Sequence, residues 1–392
     1  MRVKPNHDSV GVAAVSGRTG MESLNTHLHG VHQEIRQGYR DIDRMAIALY
    51  DASSATLKTF VSSNASGGTL ERHEVKLRDV PSLQSLADSR QSRVVDDMAT
   101  AFSGSLSHHS QWLLAQHMRS SLTVPVFQGD TLLAFFFFDS RRVKAFDPPS
   151  VAQLQVVAQL VPRLYLAQIK LIRSMSGMVH LVSGFSRMRD LETGQHLDRM
   201  AKYAQLMARA VAPQYELDDE FIEYVHLFAP LHDVGKIGIP DRVLLKPAAL
   251  DEEEWTIMRS HVAIGEKLVD DMEADFSLGD SLAFAVMRNV VSCHHERGDG
   301  SGYPRGLTMD QIPMEARLIA IADVYDALST RRPYKPAWSE RDCVAELRRE
   351  AQLGRLDARC VEALIAAKSQ RLDIQSRFSE AEILAITPPM AG

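Results

Sequence analysis

The chain has 392 residues, of which 45% are hydrophobic and 24% are charged, and its formal net charge is −6. This length allows two or three domains with sizeable cores, and this composition excludes extensive disorder. The acidic balance argues against binding to duplex nucleic acid, although a local positive pocket for a small anion stays possible. Three cysteines without CxxC spacing, no signal-like segment and no membrane-spanning run predict a cytoplasmic protein.

The N-terminal part of the chain mixes helical and strand patterns. Residues 1–20 are interpreted as a flexible tail, and "MESLNTHLHGVHQEIRQGYR" as a helix whose three histidines face solvent, His27, His29 and His32. The runs around "DASSAT" predict one β-hairpin, and "SLTVPVFQGDTLLAFFFFDS" predicts another with its turn at Gly129–Asp130. This order resembles a GAF domain. The resemblance implies an α+β sensor domain over residues 21–150 that binds an unknown small ligand.

A long apolar stretch follows the "DPPS" break and covers residues 151–186. Its helical spacing predicts a linker helix that continues into the next domain. Such a helix can pair with its counterpart in a second copy, which predicts a homodimer. Packing of the helix against its own domain is an equally open interpretation.

Residues 187–370 carry helical apolar spacing almost throughout and predict an all-α bundle, followed by a C-terminal tail over residues 371–392. Histidines and acids interrupt these apolar patterns. Glu192 and His196 have the i, i+4 spacing that lets two side chains meet one ion. His232 and Asp233 are adjacent in "LHDVGKIGIPD", which suits a two-metal site better than chelation of one ion.

Further polar groups lie in other helical segments. His261 is placed in the helix that starts near Glu252, His294 and His295 end another helix, and Asp323 lies within "LIAIADVYDAL". Each alone fits a capped helix end or a satisfied core histidine, but eight together predict a metal cluster. Oxygen and imidazole ligands without thiolate favour iron, manganese or a magnesium-like ion over a structural zinc.

Three motifs carry a specific resemblance: "HDVGKIGIPD", "HHERGDGSGYP" and "ADVYDALSTRRPYK". They resemble the signatures of the HD-GYP family, the HD-domain phosphodiesterases of cyclic di-GMP. The resemblance implies a centre of two or three divalent metal ions, iron or alternatively manganese, and hydrolysis of cyclic di-GMP to pGpG and in some members to GMP. Asp233 is then the expected bridge between metals, and the implied ligands are Glu192, His196, His232, Asp233, His261, His294, His295 and Asp323.

The resemblance also implies substrate contacts. Lys236 matches a lysine near the scissile phosphate, so Asp233 and Lys236 are the expected catalytic residues. Tyr303 belongs to the intact "GYP" triplet, and Arg332 and Lys335 match residues that hold the substrate phosphates. Some relatives use the GYP loop to contact diguanylate cyclase domains, so such a partner is expected here.

Two other functions remain open at this point. HD domains also cleave nucleoside triphosphates, guanosine alarmones or related cyclic dinucleotides such as cyclic GMP-AMP, and a catalytically silent receptor would bind cyclic di-GMP without cleaving it. The chain departs from the family pattern at Val234, where isoleucine is more common, and at Val262, where proline is usual. Neither departure removes a ligand.

Overall fold

The computed structural model describes residues 23–52, 54–65, 74–102, 108–187, 194–276, 281–330 and 337–378. The chain divides between Leu171 and Ile172 into two compact units. Among the described residues, no helix is both long enough and apolar enough to cross a lipid bilayer.

The N-terminal unit combines six strands with short helices. In chain order its elements are α1 (Leu24–Gly38), β1 (Arg44–Asp51), β2 (Thr56–Asn64), β3 (Glu74–Lys76), α2 (Pro81–Ser89), β4 (Arg93–Val95), α3 (Met98–Ala101), α4 (His108–Ala115), β5 (Ser120–Gln128), β6 (Thr131–Ser140) and α5 (Pro148–Arg187), whose residues from Ile172 onward belong to the second unit.

The six strands form one sheet in the order β3-β2-β1-β6-β5-β4, and all neighbours are antiparallel. Gly129 has a φ of +58° in the turn between β5 and β6, a conformation that costs glycine little. Because side chains alternate along a strand, Ile47 and Phe136 face one apolar cluster while Ala46 and Phe135 face another. The sheet is therefore buried on both faces.

Helix α1 packs on the sheet through Leu24 and Leu28, which are almost completely buried. His32 lies four residues after Leu28 on the same helix face and is also buried. Its Nδ1 lies 2.7 Å from the hydroxyl of Ser63, and its Nε2 lies 3.0 Å from the carbonyl of Ile42. The expectation that His32 faces solvent was therefore wrong, because its position follows the apolar stripe of the helix.

The C-terminal unit is built from α-helices and short 3-10 segments over its described residues. After α5 these are α6 (Gly194–Tyr215), α7 (Asp219–Phe228), two 3-10 segments (Ala229–Leu231 and Val234–Gly238), α8 (Asp241–Leu244), α9 (Glu252–Arg259), α10 (His261–Phe276), α11 (Leu282–Cys293), α12 (Met314–Ser329), α13 (Glu340–Gln352), α14 (Ala358–Ala366) and α15 (Lys368–Arg377).

Side-chain caps define where several of these helices begin. Asp218 accepts the amide of Phe221 at the start of α7, and Asp251 forms a capping box with Glu254 at the start of α9. Behind the caps, one large apolar cluster contains α6, α7, α11 and α12 residues such as Tyr203. Polar side chains that point away from this apolar cluster are therefore carried by helices whose first residues are fixed by caps.

Candidate metal centre

Seven of the predicted ligands converge in the C-terminal unit from separate elements. They form two groups in which the possible ligand atoms lie within 4.8 Å of one another. The first group, which we call group A, is Asp233, His261, His294 and His295; the second, group B, is His196, His232 and Asp323. The eighth predicted ligand, Glu192, lies outside the described residues. The predicted substrate contacts Arg332 and Lys335 also lie outside them.

Asp233 lies where the two groups adjoin, and its two carboxylate oxygens face different sides. Oδ2 is 3.1 Å from Nε2 of His232, which belongs to group B. Oδ1 is 3.1 Å from Nε2 of His261 and 3.6 Å from Nε2 of His294, both of group A. This is the geometry that a carboxylate needs to contact two neighbouring ions, one with each oxygen.

Four histidine rings are oriented by a contact at Nδ1, the nitrogen on the far side of the ring from the cluster. A carbonyl or carboxylate oxygen accepts only from a protonated nitrogen, so Nδ1 carries the proton and Nε2 presents a lone pair. Such a contact fixes the tautomer of a metal-binding histidine. The acceptors are Asp326 for His196 at 2.7 Å, Ala229 for His232 at 3.0 Å, Met258 for His261 at 2.7 Å, and Val290 and Val291 for His294 at 3.0 Å.

The inward atoms of group A fit a cation. Oδ1 of Asp233 and Nε2 of His261 and His294 are buried, and among the described residues none makes a hydrogen bond of acceptable geometry. All three atoms are electron-pair donors that point at one another, an arrangement that costs free energy unless a positive charge lies between them. A divalent ion provides that charge, so the residues present fit a metal.

Charge in the cluster favours the ligand-competent forms. Burial alone would raise the pKa of the Asp233 carboxyl, but the ammonium of Lys236 outweighs it and holds that pKa below its usual range. Nζ of Lys236 is 2.9 Å from Oδ2 of Asp233. Burial lowers the pKa of His294 and that of His295, so both rings are neutral at pH 7 and available as ligands.

Group B includes a more open side. Asp323 on α12 has a side chain that is 29% exposed, and its Oδ1 lies 3.9 Å from Nε2 of His196. Sequence reasoning treated Asp323 as a charge inside an apolar helix, yet the structure places it at the edge of the cluster. Its exposure leaves room for an external ligand on this side.

Local backbone geometry explains how adjacent residues reach the cluster. His232 and Asp233 lie between the two 3-10 segments and not on a continuous helix. Gly235 follows at a point where a Cβ would come within 1.8 Å of the carbonyl oxygen of His261. Only glycine permits this approach, which brings Asp233 and His261 together.

The position of His261 also differs from expectation. The helix that begins at Glu252 ends at Arg259, and His261 is the first residue of α10 rather than part of α9. The break at Ser260 turns the imidazole inward. No glycine or proline marks this break in the sequence.

The GYP loop, residues 296–307, lies beside group A. The ring of Tyr303 stacks on the ring of His295 with a centroid separation of 4.6 Å. Glu296 is buried, and its carboxylate accepts the amides of Arg305 at 2.7 Å and Leu307 at 2.9 Å. Gly302 has no space for a Cβ, which would lie 2.2 Å from the amide nitrogen of Arg297. The loop is thus held against the cluster from within.

Sequence reasoning missed the groups that support these ligands. Asp326 is buried one turn after Asp323, and besides His196 it binds the guanidinium of Arg199 at 2.6 and 2.8 Å. Arg199 lies three residues after His196 on the same face of α6, but this spacing does not show that both side chains meet Asp326 of α12. The buried carboxylate of Glu296, which accepts two loop amides, was also not predicted from the sequence.

Comparison with protein families identifies both units. A family model described as an HD domain matches residues 191–360, and one described as a GAF domain matches residues 23–162. The chain joins a GAF domain to an HD domain. The predicted fold class, an α+β GAF-like domain joined by a long helix to an all-α HD bundle, is confirmed.

Curated relatives of this GAF–HD chain carry related names. The cyclic di-GMP phosphodiesterase response regulator RpfG of Xanthomonas campestris pv. campestris is 45% identical over 194 residues, 49% of this chain and 48% of the relative. A cyclic di-GMP phosphodiesterase of Vibrio cholerae is 41% identical over 204 residues, 51% of this chain and 41% of the relative.

A third relative has a different printed substrate. It is named 3'3'-cGAMP-specific phosphodiesterase 2, also from Vibrio cholerae, and is 37% identical over 189 residues, 48% of this chain and 34% of the relative. The GAF–HD chain spans about half or less of the length of these relatives. With the HD-domain match, the relatives confirm the resemblance to the HD-GYP family that the motifs predicted.

Proposed function

We propose that the HD domain is a metal-dependent phosphodiesterase that opens cyclic di-GMP to linear pGpG under control of the GAF domain, with further cleavage to GMP as the open alternative. The observation that carries this proposal is Asp233, whose two oxygens face two adjoining ligand groups. Paired metal sites suit in-line displacement at phosphorus, because both the attacking and the leaving oxygen are stabilised. Relatives named cyclic di-GMP phosphodiesterases support the substrate.

In this proposal groups A and B would hold two divalent ions, Asp233 would offer one carboxylate oxygen to each, and Glu192 would be a ligand where a third ion binds. We assign iron, with manganese as the alternative, because the donors are imidazole and carboxylate without thiolate. The three cysteines are buried and free, and none belongs to either group. When bound, the ions lower the pKa of water and withdraw charge from a phosphate.

The protein's own residues position the substrate. Lys236 lies 2.9 Å from Asp233 and brings a positive charge to the edge of the cluster, where it neutralises the scissile phosphate and can protonate the leaving 3′ oxygen. Tyr303 lines the same edge through its stack on His295. Arg332 and Lys335 are proposed to hold the substrate phosphates, on the strength of the sequence motif alone.

A cyclic GMP-AMP phosphodiesterase is the second candidate, because relatives with that name match the chain at 31–37% identity. Relatives named for cyclic di-GMP match at 35–45% identity, and two of them, at 41% and 45%, exceed every one of these values, which favours the first candidate. A silent cyclic di-GMP receptor is the third. Product chromatography with cyclic di-GMP and 3′,3′-cyclic GMP-AMP separates the three.

The test of the function is hydrolysis of cyclic di-GMP by the whole chain and by its Asp233→Ala variant. The whole chain should release pGpG, and the variant should lose bound metal and turnover together, because Asp233 serves both groups. Undiminished turnover by a variant that has lost its metal would overturn the mechanism.

We further propose that the chain is a homodimer and that the GAF domain binds a small regulatory ligand. Val156, Leu160 and Leu164 of α5 recur every four residues and are 59%, 56% and 67% exposed. The opposite face of α5 is buried in its own unit through Leu154 and Ala158. A second copy offers a matching stripe, so a helix pair covers both.

The GYP loop is the proposed contact for a diguanylate cyclase domain. Pro304 and Arg305 are exposed on it, which leaves this part of the loop available to a partner. Regulation by the GAF domain predicts that removal of residues 1–150 changes the rate of hydrolysis. An unchanged rate, with and without cell extract, would argue against that role.

A further inference from the structure

Trp255, Arg259 and Tyr303 form a continuous stack that ends at the metal cluster, and we call these three residues the lip stack. The guanidinium of Arg259 lies over the Tyr303 ring, 5.1 Å from its centroid, and 6.0 Å from the centroid of Trp255. Tyr303 in turn stacks on His295 of group A. The stack therefore leads from a ligand of the cluster outward to the protein surface.

The break between α9 and α10 creates this arrangement. Trp255 and Arg259 are four residues apart on α9, so they share one helix face. The helix ends at Arg259, and two residues later His261 turns into group A. One short segment thus supplies both a ligand of the cluster and a cationic side chain at its rim.

Arg259 forms no ion pair with the described residues. There, no carboxylate lies within 4.0 Å of its guanidinium, whereas other arginines of this unit, such as Arg348 and Arg288, are paired with acids. Arg259 is exposed, and Trp255 is 48% exposed. A guanidinium held between two rings keeps its edge, with several N–H donors, free for a ligand.

We propose that Arg259 and Trp255 recognise a guanine base of the substrate, Arg259 by donating hydrogen bonds to O6 and N7 and Trp255 by stacking on the base. This inference rests on the proposed function, because it names how that substrate is selected. Guanine presents two adjacent acceptors that match a guanidinium, whereas adenine presents an amino donor where guanine has O6. Stacking on an exposed aromatic ring suits an unpaired base.

The indole of Trp255 beside Arg259 favours a contact with a base over a contact with a phosphate. An exposed indole adds a flat apolar surface beside the guanidinium, which a base can cover and a phosphate cannot. Positive charge for a phosphate is already present at Lys236, next to Asp233. The lip stack thus selects the base, while Lys236 supplies the positive charge for the phosphate.

The test compares two substrates with the metal-loaded full-length chain: cyclic di-GMP and bis(4-nitrophenyl) phosphate, a phosphodiester without a base. Arg259→Ala should lower kcat/KM for cyclic di-GMP by roughly 5- to 150-fold, the range of a good bidentate contact to guanine. The same variant should change kcat/KM for bis(4-nitrophenyl) phosphate by less than twofold, because that substrate carries no base. Arg259→Lys should not restore the activity, because lysine lacks the planar pair of donors.

Arg359→Ala is the matched control. Arg359 also lies over an aromatic ring, that of Tyr215 at 5.8 Å. Tyr215 and His196 are at opposite ends of α6, about 28 Å apart at the rise of an α-helix. This variant should change neither substrate's kcat/KM by more than twofold.

The outcomes separate a failure of the guanine contact from a failure of the proposed phosphodiesterase function. Equal losses on both substrates after Arg259→Ala, rescue by Arg259→Lys, or no loss on cyclic di-GMP each overturn the guanine contact while the phosphodiesterase stands. A wild-type chain that cleaves bis(4-nitrophenyl) phosphate but neither cyclic di-GMP nor cyclic GMP-AMP overturns both.

Discussion

Asp326 shows how a residue outside both ligand groups controls one of them. It is buried, accepts from Nδ1 of His196 at 2.7 Å and binds Arg199. Burial alone would raise the pKa of its carboxyl, but Arg199 and His196 together lower that pKa, so it is ionised. An ionised acceptor makes His196 a stronger ligand and holds its ring in place.

Asp326→Asn should therefore weaken metal binding at group B by roughly 10- to 100-fold, the usual effect of losing such a supporting contact. Metal per chain, measured after dialysis against graded chelator, checks this. Asp357→Asn is the control, because Asp357 is a buried acid paired with Arg317 and Tyr215 in the same unit. Both variants lose a buried ion pair, so only a selective loss of metal by Asp326→Asn supports the account. Equal metal retention in the two variants would contradict it.

The buried histidines predict how the metal-free protein responds to acid. Burial lowers the pKa of His294 and of His295 below the ordinary value of 6.5. Below pH 6.5 the unfolded chain takes up protons at these positions, while the folded protein does not. The contribution of these two neutral imidazoles to the free energy of unfolding is therefore fully present above pH 6.5, and it is lost as the pH falls below that value.

Urea unfolding of chelator-treated protein at pH 7.5, 6.5 and 5.5 measures this dependence. The free energy of unfolding should fall from pH 6.5 to 5.5, and the double variant His294→Gln/His295→Gln should fall less steeply. A wild-type stability that stays constant or rises over this range would disagree with neutral, buried imidazoles.

At the scale of elements, the GYP loop is shaped by its interior carboxylate. Glu296→Ala removes the acceptor of the Arg305 and Leu307 amides, so both amides should exchange with solvent deuterium faster. Asp299→Ala, in the same loop, is the control. Asp299 is exposed and accepts the amide of Ser301 and the guanidinium of Arg355, so of the loop amides only that of Ser301 should respond. Unchanged exchange at Arg305 and Leu307 would mean that the loop is held by other contacts.

Elements with strong periodicity were predictable, and elements set by tertiary contacts were not. The β5–β6 hairpin was readable from two apolar runs and a Gly129–Asp130 turn, since local chemistry fixes both. The end of α9 was not, because "MRSHVA" contains no helix-breaking residue and the break depends on packing of His261 against Gly235. Strand β3, with only three residues, is too short to show alternation.

The side chains of the site likewise divide into those that the sequence pattern predicts and those that only tertiary contacts reveal. The ligand candidates were visible because histidines and acids interrupt apolar spacing, and the structure brings seven of them together. Their supports were hidden: an Arg199 or an Asp326 in a helix usually faces solvent, and only the fold shows that these two meet. His32 was misjudged although it continues the Leu24–Leu28 stripe.

At the scale of the whole molecule, the exposed stripe on α5 predicts self-association. Leu164→Glu should convert a dimer to a monomer, because it places a charge within the apolar contact of two helices. Light scattering coupled to gel filtration measures the mass. Leu353→Glu is the control, since Leu353 is 47% exposed in the C-terminal unit and lies outside the stripe. A monomeric wild-type chain, or a variant that stays dimeric, would refute the helix pair.

Cleavage of a cyclic dinucleotide with paired metals is the central feature of the function proposed for the HD domain. The most direct measurement is chromatography of the products formed from cyclic di-GMP by protein purified without oxygen, with its metal content counted in the same sample. We predict at least two ions per chain and release of linear pGpG. Intact cyclic di-GMP recovered from protein that carries two ions per chain would contradict the account.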